Sequence, residues 1–542
     1  MALAGVLAVV GALGLTGVAP PTADTLAVCD YLYHTYPQYM AYDPLGTNAL
    51  RTVHNADLWT QTNTVYWNNQ NSYAFRSACT FFPANAEQVS DVVVQLNRYP
   101  SVQFAIKGGG HQPAPGFSST NGGVLLAFEV NLGSATRTAD GNHFIVEPGG
   151  RWGDIYKITG ETNQIVVGGR LAHIGTGGFV LGGGLSYYSA QYGLSCDNVD
   201  QWEVVLADGT AVNASRTENP ELWWALRGGG NQFGIVTRMW MQAHPEGING
   251  QVWGGLRAYT PDKRHALFRA ITRFIASYPD AKAAVIPVFQ FGLPLNLLNV
   301  VTGPLLFMFY DGPQPPPGIF DEFDAITPLL DDTRTQRYAS LSETAGGAAL
   351  IGFGNSFREQ TYPNLPESQM VDFFSAYYDA TYNSTFIDGL ESGLDIQITG
   401  FDPQPVSVRI AQASQAQGGN ALGLNPAHGD RIWMENNFLW TNPTCQDRCP
   451  EYSKEISERM LELQREQYGE ILPTNYDYES LGGGDDVRWT NYNPLFMNDA
   501  APDQDVYSSY GEVNLERLRA AKERYDPMGF FTTRQGGFKL PG

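Results

Sequence analysis

One histidine stands where the backbone could offer it directly to a ligand: Lys107-Gly108-Gly109-Gly110-His111 follows an apolar run, Val102 to Ile106, that reads as a buried strand. Three successive glycines leave no Cβ atoms to hold a ligand away from the chain. A second cluster runs Gly175-Thr176-Gly177-Gly178-Phe179-Val180-Leu181-Gly182-Gly183-Gly184, and a third, Gly228-Gly229-Gly230, leads to Phe233-Gly234-Ile235-Val236-Thr237. Clustered backbone N–H groups bind a pyrophosphate without positive side chains, so the chemistry that suits these turns is that of a bound dinucleotide. Any one cluster could serve tight turns alone; three between residues 108 and 234 favour a binding surface. The glycine spacing is not that of a Rossmann turn, because the third glycine of GxGxxG would fall on Val180, and no GxxxxGK[ST] loop is present.

The elements that must position these turns are short. Asn85 can cap a helix, with Gln88 in capping-box position and Val89, Val92, Val93 and Leu96 on one face, ended by Pro100. Strand patterns follow at Val124 to Phe128, His143 to Val146 and Ile165 to Val167, and Trp202 to Leu206 with Asp208-Gly209 reads as a hairpin. After about residue 246 the texture changes to amphipathic and charged helical patterns such as Leu267 to Ile275 and Glu455 to Glu466, which reads as a second domain. A last helix, Val513 to Arg524, stops at Asp526-Pro527.

The chain's 542 residues are 43% apolar and 12% aromatic, enough to bury a large core. Its formal charge of −22, from 33 basic and 55 acidic residues, repels phosphate backbones and makes nucleic acid a poor partner. Met1 to Ala19 is almost wholly apolar and small, and suits a cleaved secretory signal although it carries no Lys or Arg. A secreted protein with no membrane association after cleavage is the expectation, as a monomer. Of the five cysteines, the pairing expected in an oxidising compartment is Cys29 with Cys79 and Cys445 with Cys449, leaving Cys196 free, one connectivity among several. Asn213 and Asn383 open glycosylation triplets. No CxxC pair or histidine cluster has metal-ligand spacing, so no metal is expected.

Residues 107–111, 175–184, 222–237 and 489–542 resemble, over most of the chain, the FAD-binding fold of vanillyl-alcohol-oxidase-type enzymes, and more closely the berberine-bridge-enzyme-like oxidases. The end of the chain, from Leu515 through Tyr525-Asp526-Pro527 to Gly536-Gly537-Phe538-Lys539-Leu540, is similar to fungal members. The resemblance implies an α+β architecture. A PCMH-type FAD-binding domain of two α/β subdomains would span residues 75–246 and a substrate domain with an antiparallel sheet covered by helices 247–480, with 481–542 returning to the first domain.

In that family a GGH turn supplies the histidine bonded to the flavin 8α-methyl, which makes His111 the attachment site here. Relatives with a second link place a cysteine four residues before the glycine opening the GxGG stretch; here that position is Leu171, and Cys196 lies 21 residues beyond Gly175. The resemblance therefore implies a single covalent bond. Other cofactor positions carried over are Lys107, Gly108, Gly109, Gly110, Gly175, Thr176, Gly177, Gly178, Gly183, Gly234, Ile235, Val236 and Asn491, and His173 is expected near the ring.

Two residues inherit a catalytic role by resemblance. Trp489-Thr490-Asn491-Tyr492 resembles the family's Tyr-x-Asn-Tyr motif, whose last tyrosine is a base, although Trp489 and Pro494 depart from the pattern. Glu435, within Ile432 to Trp440, matches a strand where a glutamate base stands, and a glutamate in an apolar pocket has a raised pKa suited to that task. The bland alternatives are a core tyrosine with a satisfied hydroxyl and a solvated strand residue. The activities implied are oxidation of a small secondary-metabolite alcohol, amine or phenol by dioxygen, oxidation of an oligosaccharide to a lactone, or a non-redox role for FAD as a structural group.

Overall fold

The computed structural model describes residues 19–42, 54–292, 302–344, 350–441, 445–482 and 491–541. Met1 to Val18, nearly all of the expected signal segment, and Trp489-Thr490 lie outside the described residues.

Among the described residues, three larger sheets carry the architecture, beside a two-stranded pairing of Gln164–Ile165 with His244–Pro245. The first has the order Met40–Tyr42, Cys79–Phe81, Val124–Ala127, Phe104–Lys107, with the last three strands parallel. Parallel strands are covered on both faces, and Val124, Leu125, Leu126 and Ala127 are all buried. Helix Ala86–Arg98 shares this core through Val89, Val92, Val93 and Leu96. Asn85 Oδ1 accepts from the Gln88 amide at 3.0 Å, and Gln88 Oε1 accepts from the Ala84 amide at 2.8 Å. The capping pattern read from the sequence is thus present, with its return bond one residue upstream. A disulfide between Cys29 and Cys79 fastens helix Ala23–Thr35 to the sheet.

The second sheet is antiparallel, in the order Ala135–Arg137, His143–Val146, Ile235–Gln242, Val199–Val205, Ala211–Ser215. The hairpin expected at Asp208-Gly209 joins its last two strands, with Gly209 at φ +90°. Beside it the wholly buried ion pair Arg227–Asp197 closes at 2.8 Å, and Cys196 is buried with a free thiol.

The third sheet has eight strands, all antiparallel to their neighbours. Its centre runs Val252–Ala258, Gly303–Tyr310, Ala283–Gly292, Ile396–Val406, Arg431–Trp440, Gly354–Pro363. Helices Glu367–Asn383 and Cys445–Tyr468 pack against this sheet, and Arg264–Ser277 packs on the first of them. Cys445 and Cys449 are joined in the first turn of the longest of these helices. Alternation along Arg431–Trp440 divides its side chains: Asn436 Nδ2 donates to Ser457 Oγ at 3.1 Å on the helical side, while Glu435, Asn437 and Leu439 face the opposite way, into a cavity.

Helix Glu512–Tyr525 buries Leu515, Leu518 and Ala521, as its sequence pattern requires. Beyond it, the Arg534 guanidinium donates to the carbonyls of Val102, Leu96 and Tyr99, returning the end of the chain to the first sheet. Among the described residues no helix is long and apolar enough to cross a membrane, and no group of His, Cys, Asp and Glu could hold a metal ion.

Candidate active site

Between the glycine turns and the third sheet lies a cavity of about 450 Å³. One wall is backbone: Gly108 to His111, Gly175, Gly177, Gly178 and Gly234 to Val236. The opposite wall is the sheet face, with Ile286, Val288, Leu305, Phe307, Ile398 and Leu439 as its apolar part and Asp402, Gln404 and Glu435 as its polar part. Asp499 and Arg170 complete the polar end.

The backbone wall is a cradle that only glycine permits. A Cβ on Gly109 would stand 2.5 Å from Gly175 Cα and 2.6 Å from its N, and one on Gly175 would stand 2.4 Å from Gly109 N. Both obstacles are main chain, which cannot swing aside as a side chain can. Gly109→Ala is therefore expected to destabilise the protein by about 1–3 kcal/mol and to lower the flavin content of the purified protein. Thermal melting with absorbance at the flavin band checks both, and an unchanged melting temperature would remove the close approach from the account.

His111 ends this cradle. Its ring is stacked on Trp67, centroids 4.4 Å apart at 17°, with His173 5.0 Å away. Nε2 of His111 is buried and has no hydrogen-bond partner among the described residues. Burial first, then the neighbouring His173 and the Arg151 guanidinium, hold the His111 pKa well below the ordinary histidine value, so the ring is neutral at physiological pH with a lone pair to use. An orphaned imidazole nitrogen beside a cradle free of Cβ atoms fits a flavin dinucleotide bound along that wall.

The sheet wall gathers acid. Asp402, Glu435 and Glu359 stand opposite one another in register across three strands, a placement that costs stability because like charges face each other. Burial, then the charges of Asp499 and Asp402, push the Glu435 carboxyl well above the usual range, and Asp402 and Asp499 are raised, chiefly by burial. Such groups contribute fully to stability below the unfolded carboxyl range and lose that contribution as pH rises through their higher folded-state range. The melting temperature is thus expected to fall as pH rises above about 4, and Glu435→Gln to flatten the fall. Equal pH slopes in variant and wild type, measured by calorimetry, would contradict this.

Of the residues singled out in the sequence, His111, Gly108, Gly109, Gly110, Gly175, Gly177, Gly178, Gly234, Ile235, Val236 and Glu435 line the cavity. The others are placed elsewhere. Lys107 points to the far side of its strand, its Nζ donating to Thr62 O at 2.8 Å and pairing with Glu129 at 3.2 Å. Thr176 Oγ1 donates to Glu147 O at 2.7 Å, Gly183 takes a left-handed turn at φ +113°, and Asn491 is exposed. Tyr492 is packed away from the cavity: its hydroxyl accepts from the Asn425 amide at 2.7 Å and donates to Gly423 O at 3.1 Å, its ring lies 3.9 Å from His428, and burial pushes its pKa up to about 12.

In its place the cavity receives Phe496-Met497-Asn498-Asp499, which repeats the aromatic-x-Asn-x spacing of Trp489-Thr490-Asn491-Tyr492 seven residues further on. Asn498 Nδ2 donates to Phe179 O at 3.2 Å and its Oδ1 accepts from the Gly184 amide at 3.2 Å, joining this segment to the second glycine cluster. Asp402, Asp499, Arg170, Gln404 and Trp67 were not read from the sequence. The repeated spacing was the available signal for Asp499; the rest depend on contacts between distant strands and loops.

The FAD binding domain model matches residues 77–215 and the berberine and berberine like model residues 491–536. An uncharacterized FAD-linked oxidoreductase of Arthroderma benhamiae is 32% identical over 88% of this chain and 89% of its own length. The FAD-dependent monooxygenase drtC of Aspergillus calidoustus is 30% identical over 86% of this chain and 83% of its own. A xylooligosaccharide oxidase of Myceliophthora thermophila, solved with xylobiose, has the same fold, with a TM-score of 0.67 at 17% identity over 95% of this chain and 100% of that one. With a cradle fitted to a flavin dinucleotide on one wall and titratable carboxyls on the other, this chain belongs to the berberine-bridge-enzyme-like family of FAD-linked oxidoreductases.

Proposed function

We propose that the protein is an oxidase that takes a hydride and a proton from a small, largely apolar organic substrate, a secondary-metabolite alcohol, amine or phenol, and passes the electrons to dioxygen. The observation that carries this reading is the single cavity that joins His111 and the glycine cradle to a carboxyl-bearing sheet face among apolar side chains.

FAD would be held by the amides and glycines of 108–111, 175–178 and 234–236 and covalently by His111, with Leu171 offering no thiol for a second bond. Bound there, it supplies the acceptor for two electrons. The chain does the rest. Ile286, Val288, Leu305 and Phe307 exclude water and hold an apolar body against the cradle, and the ionised member of the carboxyl cluster of Glu435, Asp402 and Asp499 accepts the proton of the substrate's hydroxyl, phenol or amine. Loss of that proton leaves electron density on the heteroatom, which makes the adjacent hydride easier to release. Walls of this kind suit an apolar ring better than a sugar chain.

Relatives named as monooxygenases make the fate of oxygen the test. Turnover under isotopically labelled dioxygen is expected to give hydrogen peroxide and an unlabelled product; label in the product would make the protein an oxygen-inserting enzyme instead. We further place it in the secretory pathway as a monomer, with Cys29–Cys79 and Cys445–Cys449 as its disulfides and Asn213 and the exposed Asn383 as glycan acceptors.

A further inference from the structure

The carboxyls of Glu435 and Asp499 both line the cavity, and each acts on the charge of the other. Two buried carboxyls that repel each other cannot both keep their charge, so the pair holds one proton. Their surroundings are unequal. Asp499 Oδ2 accepts from Gln404 Nε2 at 2.9 Å, and Gln404 is itself fixed by the Arg170 guanidinium, which donates to its Oε1. A positive group is thus relayed through an amide onto Asp499. Glu435 has no such amide donor among the described residues; Arg170 acts on it as well, but against the charges of Asp499 and of its in-register neighbour Asp402.

The segment that carries Asp499 is fastened at several points. Pro494 O accepts from Trp433 Nε1 at 3.0 Å and from Thr361 Oγ1 at 2.8 Å, and the Phe496 amide donates to Glu359 Oε2 at 3.0 Å. Phe496 stacks on Trp433 with centroids 4.3 Å apart at 7°. Fixed anchors of this kind hold a reacting group in place without reorganisation. Asp499 therefore reaches the cavity on a rigid support, beside the turn that Asn498 ties to the second glycine cluster.

We propose that Asp499 is the proton acceptor of the reaction and Glu435 its protonated partner, the two sharing one proton, with Gln404 and Arg170 as positioning residues. This deepens the redox reading above and rests on it. In the step, the substrate's O–H or N–H proton would pass to the Asp499 carboxylate while the hydrogen on the adjacent carbon leaves with its electron pair, so that a C=O or C=N bond forms; bound FAD would supply the acceptor for that pair. Dioxygen, as the final acceptor, would take up those two electrons with that hydrogen and the proton from Asp499 to leave as hydrogen peroxide, which restores the carboxylate. The electrostatics run the same way: the charges of Asp499 and Asp402 help hold the Glu435 proton on, Arg170 lowers both groups, and the Gln404 hydrogen bond pulls Asp499 alone down against its own burial.

Infrared difference spectra of the flavin-loaded protein at neutral pH test the division of labour without any substrate. Glu435→Gln is expected to remove a protonated-carboxyl carbonyl band, and Asp499→Asn to remove carboxylate bands and only shift that one. Flavin content and melting temperature show that both near-isosteric variants are folded. A carbonyl band removed by Asp499→Asn and kept in Glu435→Gln would overturn the proposal and hand the acceptor role to Glu435, leaving the redox reading intact.

With a compound that bleaches the flavin anaerobically, Asp499→Asn is expected to slow flavin reduction about 10²–10⁴-fold at every pH. Glu435→Gln should cost less and move the pH profile, and Gln404→Leu should move its acidic limb to higher pH by removing the donor to Asp499. A larger loss in Glu435→Gln, or an unmoved limb in Gln404→Leu, would count against the proposal. Failure of every compound to bleach the flavin would sink the redox reading, while the spectra would still assign the proton.

Discussion

His111→Ala is expected to yield a folded protein whose flavin separates from the chain on denaturation, whereas the wild-type band fluoresces after denaturing electrophoresis. His111 is the residue with the chemistry and the setting for a covalent bond: it closes the glycine cradle, its Nε2 is buried without a partner, and burial with the nearby His173 and Arg151 keeps it neutral. A protonated imidazole has no lone pair to give, so the depressed pKa keeps the ring able to form the bond at acidic as well as physiological pH. The cradle is backbone, so alanine at 111 leaves it standing and FAD binding becomes reversible rather than lost. Removing the ring also uncovers one face of Trp67, which stacks on it, so a modest drop in melting temperature should accompany the change. A band that stays fluorescent in His111→Ala would put the bond on another residue.

The second large effect concerns the first sheet. Cys29 and Cys79 lie 50 residues apart in sequence and Cys445 and Cys449 only 4. In the chain-entropy account, a cross-link stabilises by restricting the unfolded chain, and more so the longer the loop it closes. Replacing both Cys29 and Cys79 by serine is expected to cost about 4 kcal/mol. The corresponding double change at Cys445 and Cys449 is expected to cost about 2 kcal/mol. Cys29 and Cys79 also sit fully buried in the core around helix Ala86–Arg98, where serine hydroxyls would lack partners. Denaturant unfolding of the two variants checks the difference; equal losses would show that strain or local packing, and not loop length, governs these bonds.

Local signals in the sequence were legible where a local rule decides the outcome. The Asn85 cap, the apolar face of the helix it begins, the hairpin at Gly209 and the last helix all depend on residues a few positions apart. Strand alternation could also have placed Lys107: Ile106 and Gly108 line the cavity, so the residue between them faces away. The second glycine cluster was read as a turn, yet Thr176–Leu181 forms a short helix. A Cβ on Gly177 would stand 2.8 Å from Pro148 O, so close packing and not helix propensity dictates that glycine.

The site itself was half legible. His111 and Glu435 came from motif context, but the choice between Tyr492 and Asp499 could not be made along the chain, because both follow an Asn in the same spacing. What decides is the anchoring of Pro494 and Phe496 by Trp433, Thr361 and Glu359, residues more than 60 positions away on two strands of the third sheet. Asp402 likewise meets Glu435 only through strand pairing.

The most direct test of the central claim is anaerobic absorbance of the flavin-loaded protein mixed with a panel of small phenols, benzylic alcohols, aromatic amines and xylo-oligosaccharides, followed by admission of air. The account predicts that one of the small apolar compounds bleaches the flavin band and that air restores it with one hydrogen peroxide per cycle. Bleaching by the oligosaccharides alone, or a flavin band that no compound bleaches, would contradict it.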